Sequence, residues 1–78
     1  MIKDPIIIEE MCMEVFREMN DENLMKKYKP LQHEKQGNRK IVAKIVSAVM
    51  QKSDNRVHTR ITQTMVKEIL DNSFQKNI

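Results

Sequence analysis

Several residue types that build catalytic and metal sites are nearly absent from this sequence. The chain contains one cysteine, Cys12, which excludes an internal disulfide and the cysteine pairs of structural zinc sites. Its one glycine, Gly37, excludes a glycine-rich phosphate loop. The two histidines, His33 and His58, do not form the closely spaced ligand pairs that structural zinc sites use. We therefore expect a protein that is not an enzyme and that binds no metal or cofactor.

The sequence also has no long hydrophobic segment. Its longest apolar runs, such as residues 6–8, contain three residues, whereas roughly 20 are needed to span a bilayer. No positively charged N-terminal segment precedes an apolar run of the length found in signal peptides. We expect a cytoplasmic protein that does not enter the membrane.

Few aromatic residues are available to fill a core. Phe16, Tyr28 and Phe74 are the only ones, so isoleucine, valine, leucine and the seven methionines must supply most of the buried surface. A chain of 78 residues buries enough surface for one thin core. We expect residues 1–78 to form a single helical domain.

Apolar residues recur at helical spacing through most of the chain. Asp4 followed by Pro5 is typical of a helix start, and Asn38 and Thr62 are further candidates for the N-cap position. Pro30 requires any preceding helix to end before it. The predicted helices span residues 5–19, 22–28, 39–52 and 62–75. The predicted fold is an all-α, small single-domain bundle of three to four helices.

The segments between the predicted helices contain turn-forming residues. A surface loop is expected over residues 29–38, which include Pro30 and Gly37. A turn over 53–56 is expected to lead into an extended connector over 57–61. This connection is longer than the three or four residues of a helix-turn-helix motif.

The predicted helix at 39–52 has an unusually broad apolar arc. By helical geometry, more than half of its circumference is apolar. The arc contains Ile41, Val42, Ile45, Val46, Ala48, Val49 and Met50. Such an arc is typical of a central helix covered by two others, or of a helix shared with a second copy in a homodimer.

Charge is divided unequally along the chain. Up to Asn23 there are seven acidic residues against two basic ones, whereas from Leu24 onward there are twelve basic residues against four acidic ones. Glu10, Glu14 and Glu18 stand four residues apart on the first predicted helix, where like charges repel one another. These three glutamates form an acidic ridge. The ridge is either a solvated face partly neutralised by the basic half of the protein, or a docking site for a basic partner.

Two apolar residues, Ile6 and Met13, fall on the polar side of the same predicted helix. Together with the acidic ridge they define a candidate surface for a protein partner. Its predicted residues are Ile6, Glu10, Met13, Glu14 and Glu18.

The basic half of the chain carries a candidate surface for nucleic acid. Residues that neutralise backbone phosphates are expected to be Arg39, Lys40, Lys44, Arg56, Arg60 and Lys67. Residues that position the ligand or discriminate between bases are expected to be His58, Thr62, Gln63 and Thr64. The start of the last predicted helix adds backbone amides that favour an anion.

Two functions fit these surfaces. The first is a small basic regulatory protein, associated with transcription or replication, that binds nucleic acid, with DNA favoured over RNA. The second is an adaptor or inhibitor that binds a larger protein through methionine-rich apolar helix faces and the acidic ridge.

Overall fold

The computed structural model describes residues 1–19, 27–29 and 36–75, with the side chains of residues 36 and 73–75 left aside. Within these residues the chain forms three helices: α1 Pro5–Met19, α2 Gln36–Lys52 and α3 Thr59–Gln75. Each helix packs against the other two, which confirms the predicted all-α bundle. The helix predicted over residues 22–28 lies largely outside the described residues. No helix in the described part of the chain combines the length and apolar character that a membrane span requires.

The start of α1 is the one that the sequence predicts. Pro5 is its first residue, and the Asp4 carboxylate accepts a hydrogen bond from the backbone N–H of Ile6 at 3.0 Å. The backbone C=O of Asp4 accepts the N–H of Ile8 at 3.1 Å. Asp4 is therefore the N-cap, because its side chain binds an amide that has no partner inside the helix.

The start of α2 differs from the prediction. The helix begins at Gln36, so the last residues of the predicted 29–38 loop are helical and Asn38 is not an N-cap. Asn38 is buried, and its side-chain amide binds the backbone of Lys29. It accepts the Lys29 N–H at 2.9 Å and donates to the Lys29 C=O at 2.6 Å. This amide holds the described segment 27–29 against α2.

The end of α2 is a Schellman motif. The N–H of Asn55 donates to the C=O of Met50 at 2.8 Å, and the N–H of Asp54 donates to the C=O of Gln51 at 3.2 Å. Asp54 and Asn55 have left-handed backbone angles, with φ of 59° and 60°. Aspartate and asparagine tolerate this conformation better than most residues, so the turn occurs where it was predicted.

The connector is shorter than the sequence suggests, because α3 begins at Thr59. Its extended part is Val57, which forms a parallel β-bridge with Ile2 near the N-terminus. The Ile2 N–H donates to the Arg56 C=O at 2.6 Å, and the His58 N–H donates to the Ile2 C=O at 2.9 Å. The N-terminal segment is thereby tied to the turn between α2 and α3.

His58, rather than Thr62, caps α3. Its ring Nδ1 accepts the backbone N–H of Ile61 at 3.3 Å, and its C=O accepts the N–H of Thr62 at 3.0 Å. Thr62 lies inside the first turn and is fully buried. The predicted cap at Thr62 was therefore wrong, because the helix starts one turn earlier.

The core is aliphatic, as the composition predicts. Its buried hydrophobic members are Ile8, Cys12, Val15, Tyr28, Ile41, Val42, Ile45, Val46, Val49, Val57, Val66 and Leu70. Among the described residues, no buried polar side-chain atom lacks a hydrogen-bond partner. Five of these buried hydrophobic residues belong to α2, so packing against α1 and α3 accounts for its broad apolar arc without a second copy.

Candidate nucleic-acid interface

An open groove of about 350 Å³ runs between α2 and α3. Its rim carries two of the predicted cationic residues, Arg39 and Lys67, together with Gln63. The remaining lining residues are Val42, Ala43, Val46 and Ser47. The groove thus brings Arg39 together with two predicted site residues, Gln63 and Lys67, that follow it by 24 and 28 residues in the sequence.

Helical spacing explains how the two walls of the groove are built. Arg39, Ala43 and Ser47 recur every four residues and form one wall on α2, while Gln63 and Lys67 form the wall on α3. Val42 and Val46 are each 6% exposed and close the floor. The valines belong both to the core and to the groove, so the position of the polar rim is fixed by core packing.

Three further basic residues extend the basic surface around the groove. Arg60 is exposed and shares a face of α3 with Gln63 and Lys67, since the three residues recur at i, i+3 and i+7. Lys40 and Lys44 are exposed on the outer side of α2, roughly a quarter turn or more from Arg39 by helical geometry. They widen the basic surface beyond the groove.

Arg56 lies apart from the groove, in the connector. Its side chain is exposed, whereas its backbone C=O accepts the hydrogen bond from Ile2. The β-bridge therefore fixes the backbone that carries Arg56 next to the start of α3.

The cations of this surface have no acidic partners within the part of the chain that is described. Lys52 is the exception among the basic residues of α2, since its ammonium lies 2.7 Å from Glu18 and 3.5 Å from Glu14. The hydrogen bond to Glu18 raises the pKa of Lys52. The six predicted phosphate-binding cations form no ion pair with a described residue. They are Arg39, Lys40, Lys44, Arg56, Arg60 and Lys67. Their positive charge is available to an external anion.

The four residues predicted to position a ligand occupy different environments. Gln63 is exposed in the groove. Thr64 is also exposed, but its hydroxyl donates to the C=O of Arg60 at 3.1 Å. Thr62 is 0% exposed, and its hydroxyl donates to the C=O of His58 at 2.8 Å. His58 is half-buried with its Nδ1 engaged by Ile61. Gln63 is therefore the member of this group that is best placed to meet a ligand.

Ala43 and Ser47 line the groove but were not among the predicted site residues. Both lie on the same face of α2 as Arg39, at spacings of four and eight residues. That spacing was the available signal, and small side chains at these positions keep the groove open.

The predicted protein-binding residues lie on α1 and divide into two groups. Glu14 and Glu18 contact Lys52 of α2, so part of the acidic ridge is neutralised within the protein. Ile6 and Met13 are 67% and 44% exposed. A shallow depression of about 300 Å³ beside them is lined by Glu9, Glu10, Met13, Glu14 and Arg17.

Cys12 faces the core and has no exposed surface. Burial, with a smaller contribution from the charge of Glu9, raises the pKa of its thiol to about 11. Such a thiol is a poor nucleophile at neutral pH because the reactive species is the thiolate. Within the described residues, no group of three or more histidine, cysteine, aspartate or glutamate side chains is arranged to hold a metal ion.

Comparison of this chain with protein-family models, with curated protein sequences and with solved structures finds no match.

Proposed function

We propose that this protein binds nucleic acid through the basic surface of the α2–α3 hairpin and acts as a non-catalytic regulator. The observation that carries the proposal is the groove between the two helices, which Arg39, Gln63 and Lys67 line together. Cations that form no ion pair with a described residue lie in and beside it, and free cations are the chemistry that holds a phosphate backbone.

Charge around the groove supports an anionic ligand. Between residues 36 and 75 there are seven basic side chains and three acidic ones, Asp54, Glu68 and Asp71. Asp71 is buried, and its carboxylate accepts a hydrogen bond from the Tyr28 hydroxyl at 2.9 Å. Lys52 is paired with two glutamates of α1. The remaining solvent-accessible charges of the hairpin are six basic residues against Asp54 and Glu68, an excess that favours fast, electrostatically steered association with an anion.

The presence of Gln63 among the groove residues favours DNA over RNA as the ligand. Gln63 is a side chain that can form paired hydrogen bonds with an adenine edge in the major groove of B-form DNA. The major groove of A-form RNA is too deep and narrow for such a contact. Arg39 and Lys67 would then hold the phosphates on either side of the base contact.

A second group of cations, at the start of α3, supports contact with the phosphate backbone. Arg56 and Arg60 lie on either side of the His58 cap at the start of α3. The positive end of the α3 dipole lies at the same place and adds to their attraction for phosphate. We propose that they contact the backbone beyond the groove.

A fluorescence-anisotropy titration tests the proposal directly. The ligands are a labelled mixed-sequence DNA duplex, the corresponding single strand and an RNA of the same sequence, each measured at two salt concentrations. We expect micromolar or tighter binding that weakens steeply with salt and is strongest for the duplex. Absence of binding to all three polymers at low salt would contradict the proposed function.

The variant Arg56→Gln with Arg60→Gln tests the second group of cations. Both side chains are exposed, so the fold should be retained, and we expect weaker binding with a shallower salt dependence. Lys52→Gln is the matched control, because Lys52 is occupied by Glu14 and Glu18. If the double variant binds like the wild type, Arg56 and Arg60 do not belong to the interface.

A further inference from the structure

The outer face of α1 carries apolar side chains that the fold leaves uncovered. Ile6 is 67% exposed and Met13 is 44% exposed. The two residues are seven positions apart, or about two helical turns, so they lie in line along one side of the helix. This spacing is the one that a second helix uses to pack along a first.

Acidic residues flank this apolar line, and they differ from the rest of the acidic ridge. Glu9 and Glu10 are exposed and form no ion pair with any described residue, whereas Glu14 and Glu18 contact Lys52. Lys52 thus neutralises one side of α1. The side that carries Ile6 and Met13 keeps the charges of Glu9 and Glu10, with one cation, Arg17, one turn beyond Met13. Three acidic residues and one basic residue line the depression beside Met13, namely Glu9, Glu10, Glu14 and Arg17, so its net charge is negative.

From this arrangement we infer that the outer face of α1 is a docking surface for a basic amphipathic helix of another protein. Ile6 and Met13 would contact the apolar stripe of the partner helix. Glu9 and Glu10 would pair with lysine or arginine residues beside that stripe, so that the charges are complementary across the contact. The partner would be bound on a different helix from the ones proposed to bind nucleic acid.

The same geometry disfavours a second copy of this chain as the occupant. In a symmetric antiparallel pair of α1 helices, Ile6 of each copy would meet Met13 of the other. The two-fold axis would then pass between positions 9 and 10, so Glu9 and Glu10 of the two copies would face one another. Like charges at the centre of an interface oppose association, and the basic partner avoids this repulsion.

A pair of synthetic peptides provides the test. Both peptides are about 20 residues long, enough to cover α1, and carry leucine at heptad positions a and d. One has lysine at the flanking positions and the other has glutamate. In anisotropy titrations we expect the lysine peptide to bind roughly tenfold or more tightly than the glutamate peptide. In ¹H–¹⁵N spectra its addition should shift the amides of α1 along the Ile6 and Met13 face.

Three variants separate the apolar contribution from the charge contribution. Met13→Glu removes an apolar contact and adds negative charge, so any loss of binding to the lysine peptide reports the apolar contact. Glu9→Gln with Glu10→Gln removes the charge and leaves Met13 in place. We expect each to weaken binding roughly tenfold, whereas Glu68→Gln, at an exposed position on α3, should bind like the wild type. All the replaced side chains are exposed, and thermal melts would verify that the variants fold.

Three results would overturn the inference. Equal binding of the lysine and glutamate peptides would show that charge complementarity does not contribute to the contact. Undiminished binding by Met13→Glu would show that the peptide docks elsewhere. A concentration-dependent dimer in sedimentation velocity that is lost in Met13→Glu would identify a second copy as the occupant.

Discussion

At the scale of single residues, Cys12 shows how the fold governs reactivity. Its thiol is buried and its pKa is raised to about 11, so the thiolate fraction at pH 8 is on the order of 100-fold below that of an ordinary thiol. We expect labelling by a thiol reagent at pH 8 to be slow in the native protein and fast in denaturant. The control, Cys12→Ala with Met13→Cys, moves the thiol to an exposed position and should label rapidly. Fast labelling of native Cys12 would contradict its place in the core.

Tyr28 is a second residue whose ionisation depends on the fold. It is 2% exposed, and its pKa is raised by burial and by the hydrogen bond that its hydroxyl donates to Asp71. The unfolded chain loses the phenolic proton near pH 10, whereas the folded chain retains it. Tyr28 therefore contributes stability that is fully present below about pH 10 and is lost as the pH rises above that value.

Because the chain contains one tyrosine, phenolate absorbance at 295 nm reports Tyr28 alone. We expect this absorbance to rise above pH 10 together with the loss of helical circular dichroism. Tyr28→Phe should lower the free energy of unfolding at pH 7 by about 1–3 kcal/mol, the range for leaving a buried hydrogen-bonding group, here the Asp71 carboxylate, without its partner. The variant should also lose less stability than the wild type above pH 10. Ionisation of Tyr28 in a fully folded protein would contradict this account.

At the scale of helices, the start of α3 distinguishes His58 from Thr62 as the cap. His58→Ala removes the ring nitrogen that accepts the Ile61 N–H and should destabilise the protein by about 1 kcal/mol. Thr62→Val keeps the buried shape and removes a hydroxyl that donates to a carbonyl already bonded within the helix, so its cost should be smaller. Urea denaturation of both variants gives the comparison, and a larger cost for Thr62→Val would assign the cap to Thr62.

The existence of the three helices could be predicted from the sequence, whereas two of their starts could not. Apolar spacing identifies the buried faces of α1, α2 and α3, because that period is set by helix geometry alone. Asn38 and Thr62 are residue types that favour the N-cap position, but their side chains bind Lys29 and His58 instead. The partner of Asn38 belongs to a segment outside α2, so this contact is decided by tertiary packing.

At the scale of the whole molecule, the candidate interface depends on which helix faces meet. Arg39, Gln63 and Lys67 were predicted from charge and residue type, and the packing of α2 against α3 places them on one groove. The contributions of Ala43 and Ser47 and the burial of Thr62 follow from that packing and from the true start of α3. Residue types alone predict neither which small residues line the groove nor that Thr62 is buried.

The measurement that tests nucleic-acid binding by the groove most directly is the salt dependence of duplex affinity for Arg39→Gln with Lys67→Gln. Each cation that contacts a phosphate contributes about 0.9 to the slope of log K against log salt concentration. We predict that the double variant binds more weakly and that its slope is shallower than that of the wild type by about 1.8. The slope for Lys52→Gln should be unchanged. Equal slopes for the double variant and the wild type would show that the α2–α3 groove does not contact phosphates.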